Sequence, residues 1–220
     1  MSAFRVIALT EMFEENTLKT EEEALEFINK YGLVTLFPIR GFSFPNLYQA
    51  TIGNKEDNFN KAWKWADDLA MKKLIHYGKL VHKQVTLISL EMFPYLYKLY
   101  GKRKLSETAQ EILEFLKQKG ATSTTLLKKN LNLMGKAKKS EFTKAMDELQ
   151  ATFSVTVVGR EESPKMTYSY DLLERWIPKD LIEKALNTSE TAAKERVKTK
   201  LLENEVFAKQ EDAETFLKKL

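Results

Sequence analysis

Within Leu105–Pro178 the spacing of apolar residues changes from helical to alternating. Ser106-Glu107-Thr108-Ala109 is a polar start that can supply an N-cap oxygen. Ile112, Phe115 and Leu116 then follow at helical spacing, and Gly120 closes the predicted helix. Thr122-Ser123-Thr124 predicts the start of a second short helix carrying Leu126, Leu127 and Leu131. A third, from Ser140, places Phe142, Met146 and Leu149 on one face. Period two begins at Phe153-Ser154-Val155-Thr156-Val157-Val158. After a turn over Gly159–Pro164 it continues in Lys165–Tyr170, as expected of a β-hairpin. Three short helices and a hairpin make a winged helix, so the predicted class is mainly α with small β-hairpins (α+β).

The first half reads as shorter elements. Residues 4–13 are apolar and fit a strand or a packed helix equally. Thr20-Glu21-Glu22-Glu23 is a capping box, starting a helix with Ala24, Phe27 and Ile28 inward and Gly32 at its end. Leu33–Pro38 is a short buried segment, and Ile39–Phe44 a loop. Pro45 and Asn46–Thr51 form a brief helix stopped by Gly53. Ala62-Trp63-Lys64-Trp65 belongs to a long helix predicted to end at His76-Tyr77-Gly78. Tryptophans two apart cannot share a helix face, so one of them should line a pocket or an interface. Lys79–Ile88 reads as a strand, and the next helix has Pro94 early and an edge of Tyr95, Tyr97 and Tyr100.

The basic run Gly101-Lys102-Arg103-Lys104 marks a boundary. The expected organisation is a mixed helical/β unit at 1–103, the winged helix at 104–178 and carboxy-terminal helices at 179–220. Asn187 with Glu190 gives a capping signal there. Ala193, Val197 and Leu201, then Ala213, Phe216, Leu217 and Leu220, form narrow apolar stripes. Such stripes pack back on the chain or, as the alternative, form the seam of a homodimer.

Composition narrows the chemistry. The chain has 220 residues and a net charge of +4. It has no cysteine, which excludes disulfides and thiolate ligands, and two histidines, His76 and His82, too few for an ordinary zinc site. Neither a metal nor another cofactor is called for. No apolar run approaches the ~20 residues of a membrane span, and a soluble cytoplasmic protein is the expectation. The lysines are unevenly placed. Residues 117, 119, 128, 129, 136, 138 and 139 are lysine, with no acid between Glu114 and Glu141. Lys128, Lys129, Lys136, Lys138 and Lys139, with Arg160 on the wing, are candidates for the phosphates of duplex DNA. The same cluster also fits a solvated face. Glu141, Asp147 and Glu148 on the third helix speak against its entry into a major groove, and no pair of Arg, Asn or Gln at its start reads base edges.

Four segments together resemble a known family. They are Gly32-Leu33-Val34 with Pro38, Trp63-x-Trp65-x-Asp67-x-Leu69, Tyr77-Gly78-Lys79 leading into Thr86-Leu87-Ile88-Ser89, and Asp171-Leu172-x-Glu174-Arg175-Trp176-x-Pro178. In this order they are similar to the AlkZ/YcaQ-type DNA glycosylases, over roughly Thr20 to Pro178. The resemblance implies tandem winged helices that cradle damaged duplex DNA and hydrolyse the N-glycosidic bond of an alkylated purine. The family's paired catalytic polar residues fall here on Thr35 and Phe37. Phenylalanine cannot activate water.

The leading expectation is therefore a duplex-backbone binder of glycosylase-like fold that lacks the family's catalytic pair. One alternative is an active glycosylase with a divergent site. It would use Asp67 as the acid, Thr35 to hold water, Trp63 or Trp65 as a stacking wall and Arg40 as a phosphate contact. For that reading Asp67 must border a cavity wide enough for a purine, and Phe37 is expected to fill that volume. The other alternative is a winged-helix scaffold for protein partners.

Overall fold

Thr20 opens the first helix of the structure by a reciprocal cap. Its hydroxyl accepts from the Glu23 amide at 3.2 Å, and the Glu23 carboxylate accepts from the Thr20 amide. The structure is a computed structural model that describes residues 18–101, 103–161 and 166–220, with only the backbone at positions 136 and 137. The ambiguous segment 4–13, residues 162–165 and the Lys136 side chain lie outside the described residues.

The first half runs α1 (Glu21–Tyr31), β1 (Leu33–Thr35), α2 (Leu47–Ala50), α3 (Lys55–Met71), β2 (Ile75–Gly78), β3 (Thr86–Ser89) and α4 (Phe93–Tyr100). The strands form an antiparallel sheet in the order β1-β3-β2. The second half runs α5 (Glu107–Lys119), β4 (Thr122–Ser123), α6 (Thr124–Asn130), α7 (Lys136–Ala151), β5 (Val155–Glu161) and β6 (Thr167–Leu172). Its sheet, again antiparallel, has the order β4-β6-β5. Then come α8 (Leu173–Trp176), α9 (Lys179–Asn187), α10 (Glu190–Glu203) and α11 (Gln210–Lys219). The class is α+β, mostly helical, with two small sheets.

One apolar cluster joins the two halves, including Phe27, Trp65 and Leu87 from the first and Ile112, Leu149 and Tyr170 from the second. Across the same junction the buried Thr156 hydroxyl donates to the Tyr77 carbonyl at 3.1 Å. A second cluster places Phe216 and Leu217 of α11 and Val197 and Leu201 of α10 against Phe44, Met92 and Leu96. The apolar stripes of the carboxy-terminal helices thus pack against their own chain.

Several boundaries differ from those the sequence predicts. The long helix α3 stops at Met71, and His76-Tyr77-Gly78 is strand rather than helix end. The Lys73 amide bonds to Ala70 O and the Leu74 amide to Leu69 O, with Lys73 at φ 59°. That is a Schellman ending without glycine. Asn132, Phe153 and Glu205 end α6, α7 and α10 in the same way. The predicted strand over Lys79–Ile88 is a turn followed by β3, because His82 and Lys83 both take positive φ. Thr122 and Ser123 are paired in β4 before α6 begins. Ser189, rather than Asn187, caps α10 by accepting from the Ala192 amide at 3.1 Å.

The largest shift is at α7, which starts at Lys136 behind Gly135 rather than at Ser140. Lysines are good helix formers, so Lys136, Lys138 and Lys139, which precede the expected start at Ser140, fall in its first turn. Its acids also behave differently from expectation. Glu148 accepts from both the amide and the hydroxyl of Ser106, at 2.9 and 2.5 Å. Glu141 accepts from the Thr108 hydroxyl at 2.6 Å, and Asp147 pairs with Lys79 at 2.7 Å. The three carboxylates are tied into the fold, while Lys138, Lys139, Thr143 and Lys144 occupy exposed positions.

Candidate functional site

The site is built where the middle of α3 meets the β5-β6 hairpin. Spacing along the helix separates the two tryptophans. Trp65 is 8% exposed and belongs to the core, whereas Trp63 turns toward the hairpin. Asp67 follows Trp63 by one turn and shares its side of α3. On the hairpin, Arg160 and Tyr168 are cross-strand partners, so their side chains leave the same face. A β-bulge between Val157 and Gly159 produces that alignment. Val157 pairs with Tyr170 and Arg160 with Tyr168, so the extra residue moves Arg160 onto the face of Val157. In unbroken alternation it would lie on the opposite face, with Thr156.

Four side chains converge here. The Arg160 guanidinium donates to Asp67 Oδ2 at 2.8 Å. The Tyr168 hydroxyl donates to Asp67 Oδ1 and Oδ2 at 3.0 and 3.2 Å. The Trp63 indole N–H donates in turn to the Tyr168 oxygen. Asp67 is nearly sealed, its side chain 2% exposed, while that of Arg160 is 27% exposed. Burial raises the Asp67 carboxyl above the ordinary aspartate value, against the hydrogen bonds from Arg160 and Tyr168. Burial likewise holds the Tyr168 phenol up at about 12, so it stays a neutral donor at working pH.

A cavity of about 510 Å³ opens beside this cluster, lined by Phe59, Trp63, Asp67, Asp68, Arg160 and Met166, among others. Its size falls in the roughly 300–1,000 Å³ range of small-molecule sites. Phe59 and Met166 at its wall are about half exposed. Phe37 does not fill this space. It packs behind the wall, its ring 5.2 Å from Phe59 and 5.4 Å from Trp63. Asp68 forms an ion pair with Lys64 one turn back along α3.

The remaining candidates lie elsewhere. Thr35 is fully buried in β1 and donates its hydroxyl proton to Phe37 O at 2.9 Å. Neither Thr35 nor Trp65 lines the cavity. Arg40 is exposed in the tight turn from Ile39 to Phe42, where Gly41 takes φ 72°. Lys128 and Lys129 occupy the last turn of α6, with the Lys128 ammonium 4.8 Å from the centre of the Phe142 ring. Lys138 and Lys139 are in the first turns of α7. Arg160, expected to face phosphate, forms an ion pair with Asp67. Tyr168, Phe59 and Met166 are the site residues that sequence reasoning missed; reading the bulge and then the hairpin register would have found Tyr168.

Among the described residues, no group of three or more His, Cys, Asp and Glu side chains gathers as a metal site. No helix among them is long and apolar enough to cross a membrane. A family model described as AlkZ related matches residues 18–219, nearly the whole chain. The chain belongs to the AlkZ-related family. Membership places it in a DNA glycosylase-like family. No curated protein and no solved structure matches it significantly.

Proposed function

We propose that this AlkZ-related protein binds duplex DNA through a winged-helix surface and hydrolyses a base held in the cavity between α3 and the hairpin. The observation that carries the reading is Asp67. A buried carboxylate with raised proton affinity borders a cavity of base-accommodating size and stands one helical turn from an indole. Trp63 and Phe59 offer faces on which an extruded base stacks.

In the reaction the C1′–N bond breaks with its electron pair going to the base, and water oxygen bonds to C1′. Asp67, ionised, stabilises the positive charge developing on the sugar and accepts the proton that the water loses. A carboxylate has about four acceptor positions. Arg160 and Tyr168 approach from the hairpin, which leaves acceptor capacity toward the cavity. Thr35 is given no part in this chemistry, because its hydroxyl proton goes to Phe37 O just past the end of β1.

Binding to the duplex is assigned to the lysines of α6 and α7, with Arg40 as a further phosphate contact. Glu148 and Asp147 of α7 are held by Ser106 and Lys79, while Glu141, bonded to Thr108, shares the exposed face with Lys138, Lys139 and Lys144. Lys138 and Lys139 also stand at the positive end of the helix dipole, where an anion relieves the crowding of charge. Lys138→Glu with Lys139→Glu should weaken unrelated duplexes about equally in fluorescence anisotropy and reduce the salt slope by about two. A steep preference for one sequence that survives the double change contradicts this assignment.

A second reading, binding without hydrolysis, draws on Phe37. The apolar ring at the family's second polar position leaves no polar partner there for Asp67, which is already paired with Arg160. Base release by the protein separates the two readings.

A further inference from the structure

We propose that Tyr168 is the positioning residue of this site, fixing the ionisation and orientation of Asp67 through a relay that starts at the Trp63 indole. The proposal rests on the reading of Asp67 as the working carboxylate and adds how that carboxylate is held. An indole N–H is a donor only, so where Trp63 meets the Tyr168 hydroxyl the phenol oxygen must accept. The tyrosine's single proton is then directed to Asp67, 3.0 Å from Oδ1 and 3.2 Å from Oδ2. Arg160 reaches Oδ2 from the neighbouring strand. The carboxylate is therefore clamped from two points of one hairpin face, and its plane is set by β5 and β6 rather than by α3 alone.

The two clamps differ in kind. Arg160 brings charge and is partly open to solvent. Tyr168 brings a neutral, directional hydrogen bond whose geometry is fixed by Trp63 on one side and by the neighbouring Tyr77 ring, 6.0 Å away, on another. A hydrogen bond to the ionised form lowers a carboxyl's proton affinity, so the phenol works against the burial that raises it. Without the phenol, a larger share of Asp67 is protonated and inactive at a given pH.

The test is a carboxyl titration by NMR on protein carrying ¹³C-labelled aspartate, with the Asp67 signal assigned by its loss in Asp67→Asn. In Tyr168→Phe the ring stays and the donor goes. The Asp67 midpoint should rise, about tenfold in proton-binding constant. The acid limb of kcat/KM should move to higher pH with it. An unchanged midpoint in a folded Tyr168→Phe overturns the proposal and leaves the tyrosine a packing residue. Trp63→Phe supplies the second variant should Tyr168→Phe fail to fold. It frees the phenol to turn away and should raise the midpoint by less, and no rise there also overturns the proposal. The titration decides the matter even if wild type releases no base, a result that would count against the hydrolase reading alone.

Discussion

His76 makes the fold's stability depend on pH in a calculable way. The ring lies in β2 with 1% exposure, stacked on Phe153 at 5.0 Å and edge-on to Phe93 at 5.6 Å. Neither ring nitrogen has a hydrogen-bond partner among the described residues. Burial pushes its pKa down from 6.5 to about 3, so the folded protein holds it neutral. A group with a depressed basic pKa contributes its full stability above the unfolded value and loses it as pH falls toward the folded one. Between pH 6.5 and 3 the unfolded chain binds one more proton, and the loss at pH 5 is about 2 kcal/mol. Urea unfolding of wild type and His76→Leu at pH 7 and pH 5 isolates this contribution, because the carboxylates titrate alike in both proteins. Leucine also removes two buried polar atoms, so the variant should match or exceed wild type at pH 7 and lose about 2 kcal/mol less than it on moving to pH 5. Parallel losses in the two proteins would refute the reasoning and imply that the pocket opens or relaxes around the charged ring.

Arg160→Ala leaves the Asp67 carboxylate buried without its cation and should cost about 3 kcal/mol in urea unfolding; adding Asp67→Asn should recover part of that loss. Equal stability of the single and double variants would mean that Asp67 is already neutral when folded. Glu205 is exposed and holds φ 54° at the end of α10, so Glu205→Gly should stabilise by about 0.5–1 kcal/mol, read as a higher Tm. A lower Tm would show that the glycine's added freedom in the unfolded chain outweighs the relief.

The legible parts of the sequence were those whose signals are local. The Thr20–Glu23 capping box, the Gly32 stop and the α5 stripe of Ile112 and Leu116 each follow from a few neighbouring residues. The two-residue offset of Trp63 and Trp65 likewise foretold that one would leave the core. Helix ends were misread where Lys73 and Phe153 take the backbone conformation usually left to glycine, since their cost is met by packing elsewhere. Phe153 meets it by stacking on His76 and packing against Tyr97, contacts far apart in sequence. The site was half legible for the same reason. Asp67 and Trp63 share a helix turn, but the partners that define Asp67 are 93 and 101 residues away and are aimed by a one-residue bulge. The acids of α7 looked outward because their partners, Ser106, Thr108 and Lys79, belong to other elements.

The central claim is that a base enters the cavity beside Asp67 and is cut from its sugar there. Its most direct test is single-turnover release of alkylated purine from a damaged duplex, with protein in excess, comparing wild type with Asp67→Asn. The substitution keeps the shape of the side chain and removes its charge. Wild type should release the base, and Asp67→Asn should do so at least about 100-fold more slowly while holding the duplex as tightly. No release by wild type, or equal release by both, would contradict the claim.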